Sequence, residues 1–317
     1  MPRIYVIHEN DAWVEPLRDA FRDFGLPFSE WFIDRRTLDL ASVPPEGVFY
    51  NRMSASSHTR GHRYAAELTG GVLAWLEAHG RRVINDSRAL ALEVSKMAQY
   101  AALGRYAIRV PHTIAAVGRE EIVAAAKAMG APFITKHNRA GKGLGVHLFD
   151  SVAALERYVD GDAFEDSVDG VTLIQRYIEA PQPFITRVEF VGGRLLYAVQ
   201  VDTSQGFELC PADVCRIDDA FCPVGEKAAP PRFRIVPGFS HPIVERYRRF
   251  LADHGIGIAG IEFIRDRDGE IYTYDVNTNT NYNADAERAA GMSGMRAIAA
   301  YLGSELARLE QREARAA

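Results

Sequence analysis

Short apolar runs and helical stripes alternate along the first ninety residues. Ile4 to Ile7 is a branched apolar run, and Trp13, Leu17, Ala20, Phe21 and Phe24 follow at helical spacing until Gly25. Phe28 to Ile33, Val48 to Tyr50 and Arg81 to Asn85 read as further strands, and the stripe Tyr64, Leu68, Val72, Leu76 predicts a helix over 58–79 that Gly80 ends. This alternation predicts a small open parallel sheet with helices on its faces. Ligands of such sheets sit beyond the carboxyl ends of the strands, where His8, Asn51, Arg52 and Asn85 fall. His8 and Asn85 also suit caps or turns, and Arg52 suits either a structural role or a fork for carboxylate or phosphate.

The next stretch predicts one helix over 87–104, with Leu90, Val94, Met97 and Ala101 on one side and Lys96 off that stripe, the usual place of a solvated lysine. A second α/β layer follows, with strands at 112–117 and 132–137 around a helix at 119–129. Then comes PFITKHNRAGKGLGVHLFDS, in which Gly141, Gly143 and Gly145 separate a strand ending at Lys136 from a strand at 145–149. A Walker loop or a dinucleotide fingerprint would need a helix after the glycines. What remains is a flap whose backbone amides close over phosphates with Lys136 aimed at them, or else a plain flexible hairpin. The chain continues with a helix at 151–158, a strand at 171–178 that leaves one layer for another, and a hairpin of 184–191 and 195–201 that puts Arg187 and Glu189 on one face. Residues 203–240 lose periodicity and hold five prolines, a length that is usually functional or mobile. After a helix at 241–254, Ile258 to Ile264 and Ile271 to Val276 predict a hairpin around Asp266-Arg267-Asp268-Gly269. Glu262 on one strand and Asp275 and Asn277 on the next can converge as oxygen donors for a cation such as Mg²⁺, or can be strand-end polar residues. A long amphipathic helix over 293–311 closes the pattern.

Composition changes this picture little. With 317 residues, 47% hydrophobic and 25% charged, the chain has the profile of a soluble globular protein of two or three subdomains. The net charge of −5, with both signs interspersed, argues against nucleic acid as a partner and for small ligands. No apolar run approaches the roughly 18 residues of a membrane span, and the chain begins on a strand without a secretory pattern, so a cytoplasmic protein is expected. Cys210, Cys215 and Cys222 match no usual zinc spacing and are expected to be free thiols in a loop.

Several of these segments together resemble the ATP-grasp superfamily, and within it the RimK-type carboxylate–amine ligases. The resemblance runs from about residue 85 to the end and rests on Asn85 followed by Lys96, on Pro111-His112-Thr113, PFITKHNRAGKGLGV, LIQRYIEAP and Thr186-Arg187-Val188, and on GIEFI with YDVN. It implies an ATP-grasp fold of three parts: an N-terminal open parallel α/β domain with its linking helix (1–110), a central lid (111–178) and a C-terminal antiparallel-sheet domain with a metal site (179–317). It implies ATP held by Lys96 and Lys136, by the glycine flap of Gly141, Gly143 and Gly145, and by the hinge Gln175, Arg176, Tyr177, Ile178 with Glu179 at the ribose. A pair of Mg²⁺ ions, with Mn²⁺ as a substitute, falls to Glu262, Asp275 and Asn277. Arg187 and Lys142 take catalytic roles, and Arg52, Glu208 and Asn279 fall where substrates sit.

The reaction so implied joins a carboxylate to an amine through an acyl phosphate, with release of ADP and phosphate. Its substrates are small molecules, an amino acid or a peptide, and a homo-oligomer is compatible with it. A small-molecule phosphotransferase and a non-catalytic ATP sensor use the same residues and stand as alternatives. The chain departs from the family pattern at Arg176, where the hinge usually carries an acid, and at Ile185, where Asp is common. It departs again at Gly206 to Cys210, in place of an Arg-rich segment, and at Thr278 to Tyr282 after the last metal ligand. The last two bear on substrates, so the familiar amino-acid substrate is not implied.

Overall fold

A computed structural model describes residues 1–141, 143, 145–204 and 232–316. Its first layer is a parallel sheet in the order β2-β1-β3-β4, built from β1 (Arg3–His8), β2 (Phe28–Phe32), β3 (Gly47–Asn51) and β4 (Arg82–Ile84). Helix α1 (Asp11–Asp23) starts where the Asn10 side chain accepts from the Trp13 amide, and it buries Val14, Leu17, Ala20 and Phe21 against the sheet. The helix expected over 58–79 is shorter. Ser57–Arg60 forms a 3₁₀ turn closed by Gly61 at φ 84°, and α2 (Ala65–Ala78) begins after it. Tyr64, read as part of the buried stripe, is exposed, while Ala65, Thr69, Val72, Leu73 and Leu76 face the core.

The helix expected over 87–104 is two helices, α3 (Ser87–Glu93) and α4 (Lys96–Gly104). Ser95 lies between them in an extended conformation and caps α4 through the Ala98 amide. The break re-aims Lys96, which is buried and not solvated.

A second, antiparallel sheet in the order β5-β8-β6-β7 comprises β5 (Thr113–Ala116), β6 (Phe133–His137), β7 (His147–Phe149) and β8 (Thr172–Arg176). It packs Phe133, Phe149 and Ile174 against Ile122, Ala126, Leu155 and Val159 of α5 (Arg119–Met129) and α6 (Val152–Asp160). The third sheet, also antiparallel, has the order β11-β10-β9-β12-β13, from β9 (Phe184–Val191), β10 (Arg194–Asp202), β11 (Phe233–Val236), β12 (Ile258–Arg265) and β13 (Ile271–Asn277). Strand β11 falls within the stretch read as irregular. Helix α7 (Ile243–Asp253) packs Tyr247 and Phe250 on this sheet. The short α8 (Ala284–Ala290), unforeseen in the sequence, is capped by Asn283 and stopped by Gly291 at φ 65°.

The last helix, α9 (Gly294–Ala316), returns to the first layer, and its Met295, Ile298, Leu302 and Leu306 share one core with Ile4, Val6, Leu17 and Phe21. The first and third sheets are thereby joined. Among the described residues no helix is long and apolar enough to cross a membrane.

Asn85, at the end of β4, is the polar rivet of that junction. Its side chain is wholly buried, accepts from the Gly257 and Ile258 amides, and donates to the Ile258 and Thr278 carbonyls. It also adopts φ 57°, a left-handed conformation that Asn tolerates better than most residues. Asn85→Ala strands buried backbone groups that each cost about 1–3 kcal/mol unpaired, and a loss of about 3 kcal/mol in urea unfolding is expected. Asn85→Gly relieves the backbone but not the missing bonds, so it should lose nearly as much.

Candidate active site

Three strands of the third sheet carry charged side chains on one face. The register sets Glu262 opposite Asp275 on one side and opposite Arg187 on the other, with Gly260 between Glu189 and Asn277 in the adjacent rung. A Cβ at Gly260 would meet the Arg187 guanidinium at 2.5 Å, so this glycine leaves the room in which Arg187 lies across the sheet. Arg187 donates to Glu189 through Nε (2.5 Å), to Glu262 through one terminal nitrogen (3.1 Å) and to the Thr280 hydroxyl through the other (2.5 Å). Thr280 in turn donates to the second Glu189 oxygen at 2.8 Å. Burial opposes the Arg187 charge, but Glu189 and Glu262 more than offset it and hold its pKa above the ordinary value.

Two lysines from other parts of the chain meet this face. Lys96, at the start of α4, bonds Asp275 Oδ1 at 2.7 Å. Lys136, at the end of β6, donates to the Tyr100 hydroxyl (3.1 Å) and the Tyr274 carbonyl (3.3 Å) and lies over the Tyr274 ring. Burial pushes the Lys136 pKa down, with Asp275 and Glu262 opposing. Burial also works against ionisation of both carboxyls. At Glu262 burial prevails over Arg187 and the pKa rises, whereas at Asp275 the two lysines prevail and it falls.

These groups floor a cavity of about 480 Å³ between the second and third sheets. Of the expected site residues, Lys96, Lys136, Gly141, Gly143, the whole hinge from Gln175 to Glu179, Arg187, Glu262, Asp275 and Asn277 line it. Ile134, Val146, Ile185 and Ile264 give it apolar walls. Parts of the hinge are already engaged: the Gln175 amide donates to Tyr100 and Thr113, the Arg176 and Tyr177 amides bond the His112 and Pro132 carbonyls, and Glu179 pairs with Arg267. Gly145 does not line the cavity. At φ 69° it packs on the His137 ring, where a Cβ would sit 2.3 Å from a ring carbon, so its role is to shape the flap.

A smaller cavity of about 60 Å³ adjoins the first, and Lys96, Ala140, Gly141, Arg187, Asp275 and Asn277 line both. Its far walls are Trp13, Ser54, Ala55 and Ser56 from the first layer, Glu93 at the end of α3, and Val276, Asn279 and Asn281 beyond β13. Asn279, expected to face a substrate, is among the residues that line it.

Arg52 is not. It is 1% exposed, its guanidinium donates to the Thr280 carbonyl and to Asn281 Oδ1 (2.9 Å), and it reaches neither cavity. The strand end that favoured a ligand-facing fork is roofed by the segment after β13, so Arg52 orients Asn281. The expectations for Lys142, Glu208 and the three cysteines lie outside the described residues.

Sequence reasoning passed over Ser54, Ser56, Glu93 and Tyr274. Only the two serines carried a signal, since they follow the carboxyl end of a parallel strand. Away from these cavities, His8, Asp11 and Glu30 gather oxygen and nitrogen atoms close together. Arg18 bonds both acids there, so they read as a paired surface network.

No family model and no curated protein matches the chain. Solved structures do match along nearly the whole length. The RimK domain protein ATP-grasp from Sphaerobacter thermophilus aligns at 19% identity with a TM-score of 0.64, covering 94% of this chain and 98% of its own. The ATP-grasp ligase PsnB with minimal precursor aligns at 15% identity and TM-score 0.65, covering 96% of this chain and 99% of its own. The chain has the ATP-grasp fold. D-cycloserine synthetase DcsG is similar to the same degree, at 15% identity and TM-score 0.65 over 96% of this chain and 99% of its own. PsnB has also been solved with its precursor, Mg and ADP together. At these identities the likeness establishes the ATP-grasp architecture, and the chemistry of the chain rests on its own residues.

The Lys96–Asp275 pair gives a direct check on the geometry. Lys96→Met leaves Asp275 buried without its nearest counter-charge, and breaking a buried pair from one side costs about 3 kcal/mol at the low end. A loss of that size in urea unfolding is expected, with most of it recovered when Asp275→Asn is added. Near-neutral behaviour of the single variant would mean that the pair is solvated.

Proposed function

We propose that the protein is an ATP-dependent carboxylate–amine ligase that forms an amide or peptide bond through an acyl phosphate. The observation that carries this reading is the shared wall of the two cavities. The larger has the size and apolar walls for a nucleotide, the smaller is polar, and Lys96, Gly141, Arg187, Asp275 and Asn277 border both. A terminal phosphate lying on the charged floor would face the small cavity, where a second reactant would meet it.

Glu262, Asp275 and Asn277 offer hard oxygens on adjacent strands, a donor set that suits Mg²⁺ or Mn²⁺ shared with phosphates. These three residues would hold the metal, which when bound supplies neutralisation of phosphate charge. The chain's own groups do the rest. Lys136, dehydrated between Tyr100 and Tyr274, is positioned to give its charge to phosphate oxygens, and Lys96 can divide its bond between Asp275 and the transferring group. Ala140 and Gly141 line both cavities, and Gly143 and Val146 the larger one, so this loop stands where it would help to keep water from a reactive acyl phosphate.

In the first step a carboxylate oxygen attacks the γ-phosphorus, the bond to the bridging oxygen breaks, and ADP leaves. In the second the amine nitrogen attacks the acyl carbon, the single bond from that carbon to the phosphate oxygen breaks and phosphate departs with its electron pair, and the nitrogen loses a proton. Arg187 borders both cavities and would face the charge developing between them. Precursor peptides bound by PsnB and the activity named for DcsG make peptides and amino acids the first substrates to try.

Hydroxylamine tests the reaction class without knowledge of the amine, because it intercepts an acyl phosphate as a hydroxamate. Amino acids, short peptides and small diacids supplied with ATP and Mg²⁺ should include one that yields a hydroxamate and ADP. Lys136→Ala should reduce that rate at least a hundredfold, about 2.7 kcal/mol in the barrier, as for other preorganised donors. A phosphorylated alcohol without hydroxamate would make the protein a phosphotransferase. ATP bound but never consumed across the panel would make it a sensor.

A further inference from the structure

The small cavity holds an imbalance of charge that the site described above does not use. Four ionisable groups line it: Lys96, Arg187, Asp275 and Glu93. Lys96 is matched by Asp275, and Arg187 by Glu189 and Glu262. Glu93 is left over. It is 8% exposed, and no cation lies within ion-pair distance of it among the described residues. Its oxygens accept from the Ala55 amide (3.2 Å) and from the Thr278 amide and hydroxyl (2.7 and 2.9 Å). Those three bonds fix the carboxylate at the cavity wall and leave at least one of its acceptor positions open. Burial raises the Glu93 pKa, and a buried carboxylate with no counter-charge among the described residues either takes up a proton or is joined by a cation.

A second acceptor in the same cavity also lacks a donor. Asn279 Oδ1 is buried and has no hydrogen-bond partner among the described residues. The Ser54 and Ser56 hydroxyls, bonded to each other at 2.9 Å, complete a polar wall opposite. The volume of about 60 Å³, several times the roughly 10–15 Å³ that admits one water, takes a small polar headgroup.

We propose that this cavity is an ammonium site, which takes the amine substrate by its protonated amino group between the Glu93 carboxylate and Asn279 Oδ1. An –NH₃⁺ group brings three donors and one positive charge, which answers both deficits at once. The proposal rests on the ligase reading and narrows it. The acceptor is a primary amine that enters head first, cationic when bound, and it meets the acyl group at the wall shared with the nucleotide cavity. Glu93 is then a specificity-determining residue, and its carboxylate takes the proton that the ammonium must lose before the nitrogen has an electron pair to attack the acyl carbon; the nitrogen's second proton leaves after the C–N bond has formed.

Methylammonium is the probe, because it carries the headgroup and nothing else. Melting of the full chain is followed against methylammonium chloride, with potassium chloride and tetramethylammonium chloride at the same ionic strength as references. The melting temperature should rise with methylammonium alone, and Glu93→Gln should raise the concentration needed for half the effect at least tenfold. Glu93 also holds two backbone amides, so that variant can fail to fold. Asn279→Asp decides the matter independently, because a second carboxylate in the cavity should lower the half-effect concentration severalfold. Equal shifts with potassium or tetramethylammonium, a methylammonium effect that survives in folded Glu93→Gln, or no gain in Asn279→Asp would each overturn the proposal. Hydroxamate formation is scored separately on the wild-type protein. Ammonium binding without any hydroxamate would sink the ligase reading and leave the site, whereas a hydroxamate without ammonium binding would do the reverse.

Discussion

The ion pair between Lys96 and Asp275 joins the start of a helix near the first layer to the third sheet, and the charged floor of the cavity is built outward from it. Asp275 lies beside Glu262, Glu262 beside Arg187, and Lys136 comes down from the second sheet onto Tyr274. Each charge is poorly hydrated, so each depends on an opposite charge beside it. Three carboxylates, Glu189, Glu262 and Asp275, balance Lys96, Lys136 and Arg187 in number. An arrangement balanced in this way can be re-sorted by an incoming polyanion and its cation at small cost, since lysine–carboxylate contacts are exchanged for lysine–phosphate and metal–carboxylate ones.

Small backbone features make that arrangement possible. Gly260 leaves the groove in which the Arg187 guanidinium lies, and the extended Ser95 ends one helix and caps the next so that Lys96 points inward. Tyr100, on the same helix as Lys96, bonds Lys136, Gln175 and the Tyr274 carbonyl, and so couples the hinge to the phosphate lysine. Asn85 and α9 tie the first layer to the third. The small cavity exists only because those layers meet.

Much of this was legible in the sequence wherever a local pattern determines the geometry. Two-residue spacing alone puts Asp275 and Asn277 on one face, and the glycines after Lys136, with no helix following, already describe a flap between strands. The parallel first layer and the two hairpins of the third sheet follow from the same periodicities, while the third sheet as a whole was implied by the resemblance. What was not legible depends on contacts remote in sequence. Arg52 stands at a strand end like a ligand-binding arginine, but the segment after β13 covers it and takes up its bonds. The stripe through Leu90, Val94, Met97 and Ala101 reads as one helix because Ser95 is tolerated in a helix, and the break is held by remote partners, Asn138 at the Lys96 and Met97 amides and Asp275 at the Lys96 side chain. Glu93 gave no signal, since its partners are backbone amides at Ala55 and Thr278.

The central claim is that Glu262, Asp275 and Asn277 hold a metal that joins a nucleotide to this charged floor. Equilibrium binding of the non-hydrolysable analogue AMPPNP, with and without Mg²⁺, tests it without any substrate or turnover. The wild-type protein should bind the analogue at least tenfold more tightly with Mg²⁺, about 1.4 kcal/mol, and Asp275→Asn should abolish that increment while still binding the metal-free analogue. Equal affinity with and without Mg²⁺ in the wild type, or an increment that survives in Asp275→Asn, would contradict the account.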